Sequence, residues 1–408
     1  MRHFLAYGNS DQASFRDPAV RASMDYLTVP GTIAAYYPDA TAAFVLSSEL
    51  HYVIDPRTPL FQGRLETPRP SHVALAQWLG PSVSAQVARA VNTRVTLGSE
   101  FYTLPVVREV VVELVSRQRD YGGRAGTLQA KLGRYQLLLA QARREEVTPA
   151  PISIGPPPDF VLLPYFFSAG HDDWEGVNAS IWEVASQVQQ PEGLSPVIAA
   201  ATPESLHHLL NSVPEGLSHT AFFWLDGFNE RLSQTGLLQQ VWAFVADQPA
   251  GRSLVNLYGG FFSICLSHAG LFGFSNGLGY SESRDWPELP ATGAAPARYY
   301  VRSLHAHVTP AVAQLIVDLE PALRCDCPIC AGAVSIIGLS YHALKAHFAL
   351  ARRWELDLVT NQSKASIVEM LRRDWQVFDR VISPRFPRGI AQPGSDHLLR
   401  WAEVLESH

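Results

Sequence analysis

Ala221-Phe222-Phe223-Trp224-Leu225-Asp226 is a short apolar and aromatic run closed by a carboxylate, and an amphipathic stretch over residues 229–247 follows it. A run this short and this apolar reads as a strand buried on both faces, and the longer stretch as a helix. The same signal recurs at residues 4–7, 43–55, 160–167, 196–200, 254–258, 271–274 and 299–301. Helical patterns over residues 174–190 and 203–211 lie between several of these runs. Alternating strand and helix implies parallel pairing, so the expected fold class is α/β, a (β/α)8 TIM barrel. No sequence repeat of fixed period is present, which excludes solenoids and propellers.

Two stretches depart from an ideal barrel. The first is an insertion at about 64–158, far longer than an ordinary strand-to-helix connection. Inside it, residues 105–116 and 127–146 read as helices joined by the turn Asp120-Tyr121-Gly122-Gly123. Pro149-Ala150-Pro151 and Gly155-Pro156-Pro157-Pro158 then form a stiff return linker. The hairpin carries Arg108, Arg117, Arg119, Arg124, Lys131, Arg134, Arg143 and Arg144. These make either a solvated helical face or an arm that touches phosphates. The barrel is thus expected over 1–320, with a C-terminal subdomain over 321–408 whose helices fall at 342–354, 367–380 and 397–405.

That subdomain opens on the second departure, Cys325-Asp326-Cys327-Pro328-Ile329-Cys330, with His342 twelve residues further on. Crowded thiolates repel unless a cation neutralises them, and three cysteines with one histidine make a tetrahedral zinc shell. A redox dithiol and chance clustering are the competing readings. A closed shell has no open coordination position, so Zn2+ here would be structural. His342 and His347 are about 140° apart around a helix, so only one can face the cysteines; His342 is the expected ligand.

The bulk numbers describe an ordinary globular protein: 408 residues, 47% hydrophobic and 17% charged. No apolar run approaches the length of a membrane span, and Met1-Arg2-His3-Phe4 does not open a signal peptide. One isolated Cys265 and one tight cysteine cluster fit a reducing, cytoplasmic setting. A net charge of −6 argues against broad non-specific nucleic-acid binding but leaves room for a local basic face.

A barrel followed by Cys-x-Cys-x2-Cys and a histidine that opens a helix resembles the tRNA-guanine transglycosylase family. Cys325-Asp326-Cys327 is similar to the start of that family's zinc subdomain, and His342-Ala343-Leu344 to its His-x-Leu helix. The cysteine-to-histidine interval is about half the family's usual length. Val53-Ile54-Asp55, followed by Phe61-Gln62, resembles the family's strand-ending Asp and its Phe-Gln, with Pro56-Arg57-Thr58-Pro59-Leu60 in place of a glycine pair. The resemblance implies exchange of guanine for a 7-deazapurine in tRNA or DNA. It also implies a homo- or heterodimer through the zinc subdomain. An Asp attacks the anomeric carbon while a second Asp moves the proton on the base.

Asp55 matches the proton-handling position. The nucleophile's position falls at Ser275 or Asn276, in Gly273-Phe274-Ser275-Asn276-Gly277, and neither is a carboxylate. Asp226 is therefore the best-placed second carboxylate, with Glu282 behind it. Alternatively the chain is a non-catalytic, nucleic-acid-binding partner subunit, or an unrelated barrel hydrolase with a zinc clip.

Other residues carry weaker signals. Asp226 could equally cap the helix after it, and Asp172 and Asp173 after residues 160–167 read more as caps than as acids. His171 is within reach of the same strand ends. Phe61, Gln62, Gly259, Gly260, Ser275 and Asn276 are the expected substrate contacts. The pair after Tyr258 suits either close approach of a flat ligand or a plain turn. Gly273, Gly277 and Gly279 match neither a P-loop nor a dinucleotide fingerprint. Cys265 reads as buried and inert.

Overall fold

The computed structural model describes residues 1–8, 11–48, 50–64, 68–93, 96–123, 128–143, 155–279, 281–286 and 296–408. Eight strands form one curled, fully parallel sheet: β1 (Arg2–Ala6), β2 (Tyr26–Pro30), β3 (His51–Asp55), β4 (Phe167–Ser168), β5 (Val197–Ala200), β6 (Thr220–Leu225), β7 (Ser253–Asn256) and β8 (Gly273–Gly277). Their order is β3-β2-β1-β8-β7-β6-β5-β4, so strands consecutive in sequence pair with each other except β3 and β4, which are the two edges, and β8 pairs with β1.

The expected number of strands is right, but two members change places. Tyr26-Leu27-Thr28-Val29-Pro30 enters the sheet between β1 and β3, although no strand was expected there. Residues 299–301 leave it: Tyr299–Val301 (β9) pairs antiparallel with Ala306–Val308 (β10) in a separate hairpin. The expected run 43–55 divides into the helix Pro38–Ser48 and β3, because a helix buried on nearly all sides is as apolar as a buried strand. The run 271–274 slides forward to β8.

Side chains alternate across the sheet as strand geometry requires. Phe4, Val53, Phe167, Val197, Ala199, Phe222, Trp224, Val255 and Leu257 pack together on the concave interior. Leu5, Ile54, Ile198, Phe223, Leu254 and Phe274 face the surrounding helices. Both faces are covered, which is why these strands read as continuous apolar runs.

The run 160–167 does not form one strand. Phe160 bridges Val53, Val161–Leu162 pairs with Leu194–Ser195, and the chain rejoins the sheet only at β4. Pro164, which has no N–H to give, sits in the break. Side chains take over the ladder there. Gln118 brackets the Leu162 backbone, Thr58 the Tyr165 backbone and Asn178 the Phe166 backbone. Buried backbone groups demand partners, and here side-chain amides and a hydroxyl supply them.

The insertion contains four helices among the described residues: Pro70–Leu79, Pro81–Thr93, Leu104–Arg119 and Gln129–Arg143. The first two escaped the sequence reading, although Gly80-Pro81 is a legible stop and start between them. After the hairpin come the helices Pro310–Leu319, Tyr341–Asn361, Lys364–Val377 and Asp396–Ser407. Among the described residues, no helix is long and apolar enough to cross a membrane.

Candidate functional site

Cys325, Cys327, Cys330 and His347 bring one ligand atom each to within 4.8 Å of one another. His347 Nδ1 lies 3.4 Å from both Cys327 Sγ and Cys330 Sγ. A tetrahedral ion with ordinary zinc–sulfur and zinc–nitrogen bonds needs a nitrogen–sulfur edge of about 3.5 Å, so the set fits. His347 Nε2 meets the Tyr300 carbonyl at 2.7 Å, which turns Nδ1 toward the sulfurs. Tyr299 stacks on the imidazole with ring centroids 4.2 Å apart, and its hydroxyl lies 3.4 Å from Cys330 Sγ. The hairpin therefore braces this group, which can hold a metal ion such as zinc.

His342 is not part of it. Its Nδ1 pairs with Ser14 Oγ at 3.0 Å, on the side of the helix facing the start of the chain. Ser340 caps this helix, so His342 sits in the first turn and His347 more than a turn further along. The angular argument correctly allows one histidine, but the hairpin and the cysteine turn select His347. Hydrogen bonds from Cys325 and then Cys330 hold Cys327 low, while those with Cys325 and Cys327 push Cys330 up.

The second constellation lies at the C-terminal ends of the sheet strands, on the interior side. Asp55 ends β3 two residues after the interior-facing Val53 and is 2% exposed. It accepts from Tyr165 Oη at 3.0 Å, from Arg57 N at 3.1 Å and from Arg57 Nε at 3.3 Å. Asp226 follows β6 two residues after the interior-facing Trp224, and its carboxylate accepts from Trp286 N at 2.5 Å. Burial raises the pKa of Asp226 above the ordinary carboxylate value, and Asp285 adds to the effect. The backbone N–H of Asp226 donates to Ala200 in β5, and no helix starts at once after it, so capping does not explain this residue.

Residues 284–286 fold back over these strand ends. The Arg284 carbonyl accepts from Gly227 N, and Arg284 Nη1 donates to Tyr258 Oη at 2.7 Å. The Arg284 guanidinium lies 5.0 Å from the Trp224 ring centroid. Burial alone would lower its pKa, but Tyr258, Tyr165 and Asp55 together raise it, so it stays charged. Trp286 stacks on Phe167 at 5.2 Å, and Phe167 on Trp224 at 5.7 Å. Tyr165, Tyr258, Arg284 and Trp286 were not anticipated as site residues. The only sequence signal was Arg284-Asp285-Trp286, polar and aromatic together, soon after a strand end.

The expected substrate contacts divide. Phe61 is fully buried among the helices, outside the interior cluster. The Gln62 amide is engaged with the Phe167 backbone. Asn276 faces outward, away from the interior, and its Oδ1 pairs with His3 Nε2 at 3.1 Å. These positions are structural here, because strand alternation and local hydrogen bonding use up their side chains. Ser275 does face the interior, with its hydroxyl 3.2 Å from Thr28 Oγ1.

Gly259 and Gly260 are required by packing. A Cβ on Gly259 would lie 2.5 Å from Ser263 Oγ, and one on Gly260 would lie 2.7 Å from Glu230 Oε2. Glu230 is buried and accepts from Gly260 N, Phe262 N, Ser263 N and Ser263 Oγ, which places it over the start of the helix Phe261–Cys265. Burial pushes its pKa up to about 7 despite these donors. Glu282 meets Arg352, which also binds Glu355 at 2.7 Å. It belongs to a buried network with Tyr300 and His305 that ties the hairpin to helix Tyr341–Asn361.

Asp172 accepts from Trp174 N and caps the helix Asp173–Ser186, and His171 is exposed beside it. Cys265 is buried, with its thiol pKa pushed well up. In the insertion, Arg108 reaches Gln187, Arg117 pairs with Glu113, Arg119 reaches the Gln190 carbonyl and Lys131 pairs with Asp39. Arg134 is exposed, whereas Arg124, Arg144 and the side chain of Arg143 lie outside the described residues. Neither a protein-family model nor a curated protein matches this chain.

Proposed function

We propose that this chain is a transglycosylase-like protein that exchanges guanine for a 7-deazapurine in tRNA or DNA. Its frame would be a TIM barrel, with the seam between β3 and β4 closed through Phe160, and its zinc would be structural. The observation that carries this reading is the placement of Asp55 and Asp226. Both follow parallel strands at their C-terminal ends, on the interior side, next to a stack of aromatic rings. Barrel chemistry sits at these strand ends, and glycosyl transfer needs one ionised carboxylate and one acid.

The surroundings suggest how the roles divide. Asp55, paired with Arg57, is placed as the group that would attack the anomeric carbon. Asp226, raised by burial, is suited to deliver a proton to the departing base. This reverses the assignment that the family resemblance implies for Asp55. The zinc, held by Cys325, Cys327, Cys330 and His347, would fasten the C-terminal helices to the hairpin and take no part in the reaction.

Incubation of the purified protein with labelled guanine and bulk tRNA or DNA tests the proposal. Incorporation that disappears in Asp55→Asn and Asp226→Asn supports it. No incorporation, under conditions where an active transglycosylase works, sinks it.

A second reading, a non-catalytic nucleic-acid-binding partner, is favoured by Ser275 and Asn276, which put no carboxylate on β8. Under it, both Asp→Asn variants keep function in cells, while Arg134→Glu on the insertion loses it.

A further inference from the structure

We propose that Trp286 is an internal occupant of the ring-binding place at the strand ends, and that residues 284–286 must move aside before a planar substrate reaches Asp226. The inference rests on reading the strand ends as a base site, and it adds a gate which that reading does not require.

Three observations converge on it. First, the Trp286 ring stacks on Phe167 at 5.2 Å, with an interplanar angle of 23°, extending the stack that begins at Trp224. A flat heterocycle entering from the open end would use this same face of Phe167. Second, the Trp286 backbone N–H already occupies one oxygen, Oδ1, of Asp226, the carboxyl group proposed to protonate a departing base. The carboxyl cannot accept from Trp286 and serve a substrate in the same direction.

Third, the buried Trp224 Nε1 finds no acceptor among the described residues. An unpaired donor under an aromatic stack suits a ligand that carries acceptors, as guanine does, and is poorly served by a second tryptophan. Among the described residues, the attachments of residues 284–286 are two backbone hydrogen bonds, the Arg284 contacts with Tyr258 and Trp224, and one ring stack. Such a segment can exchange with a ligand of comparable stacking area, and its closed population lowers apparent affinity in proportion.

Two measurements on full-length wild type and Trp286→Ala test this. One is the guanine dissociation constant by calorimetry. The other is the rate at which a water-soluble carbodiimide modifies Asp226, followed by peptide mass spectrometry. Without the ring the segment loses its anchor, so guanine binds about tenfold tighter and Asp226 is modified about fivefold faster. Trp286→Phe, which keeps a stacking ring, stays near wild type in both and controls for misfolding. Unchanged affinity together with unchanged modification overturns the gate, as does weaker guanine binding in Trp286→Ala. If guanine binds neither protein while modification still accelerates, the base reading falls and the gate stands.

Discussion

Gln62 serves Phe167 as a strand would. Its Nε2 donates to the Phe167 carbonyl at 2.6 Å, and its Oε1 accepts the Phe167 N–H at 2.8 Å. The primary amide thus presents the donor-and-acceptor pair of a peptide group to a strand that lacks a neighbour on this side. Through it, the turn after β3 is fastened to β4 beside the aromatic stack.

Gln62→Ala leaves two largely buried backbone groups of Phe167 without partners. We expect a loss of about 2 kcal/mol or more in urea unfolding. Gln62→Glu should cost more, because a carboxylate oxygen would then face the Phe167 carbonyl. A loss below about 0.5 kcal/mol in both would show that the clamp is dispensable.

The metal ligands make a sharp contrast between two histidines. If the group holds zinc, His347→Ala should abolish stoichiometric zinc in elemental analysis and lower Tm, because the group loses one of its four candidate ligands and the tie to Tyr300. His342→Ala removes only the Ser14 contact, so zinc content should stay at one per chain and stability should fall by about 1 kcal/mol. The opposite pattern would restore the expectation drawn from sequence.

Gly260→Ala should be poorly tolerated whatever the ligand. The new methyl would lie 2.7 Å from Glu230 Oε2 and 3.2 Å from Glu282 Oε2. Glu230 cannot yield without giving up hydrogen bonds from the helix start. A destabilisation of about 2 kcal/mol in thermal or chemical unfolding is expected; full tolerance would mean that this loop repacks.

Glu230 also makes stability depend on pH. Its pKa rises from 4.5 to about 7 on folding, so the folded state binds the proton more tightly. Its contribution is therefore complete below the unfolded pKa and is lost as pH rises from 4.5 towards 7. The loss is about 3 kcal/mol at most. Glu230→Gln removes this slope, so the stability difference between variant and wild type should change across that window. A constant difference from pH 5 to 7 would contradict the assignment. Because both proteins carry the same metal site, any acid-induced metal loss cancels in the comparison.

Much of the frame is written in local apolar patterning. Both-face burial makes parallel strands continuous apolar runs, so β5, β6 and β7 are legible to within one or two residues at each end, and the carboxylates Asp55 and Asp226 are correctly placed at strand ends. Three cysteines within six residues also announce a metal group without any structure.

What sequence could not decide were choices made by partners distant along the chain. Residues 299–301 look like any other strand, and only the pairing of Tyr299 with Val308 removes them from the sheet. Phe61 and Gln62 look like site residues until packing against the helices and the Phe167 backbone engages them. His342 and His347 are equally eligible in sequence, on different faces of one helix, until the Tyr300 carbonyl orients one of them. Trp286 reaches the Phe167 ring across more than a hundred residues. Local periodicity records which face of a segment is buried; it carries no record of which distant group buries it, and that decided the contents of this site.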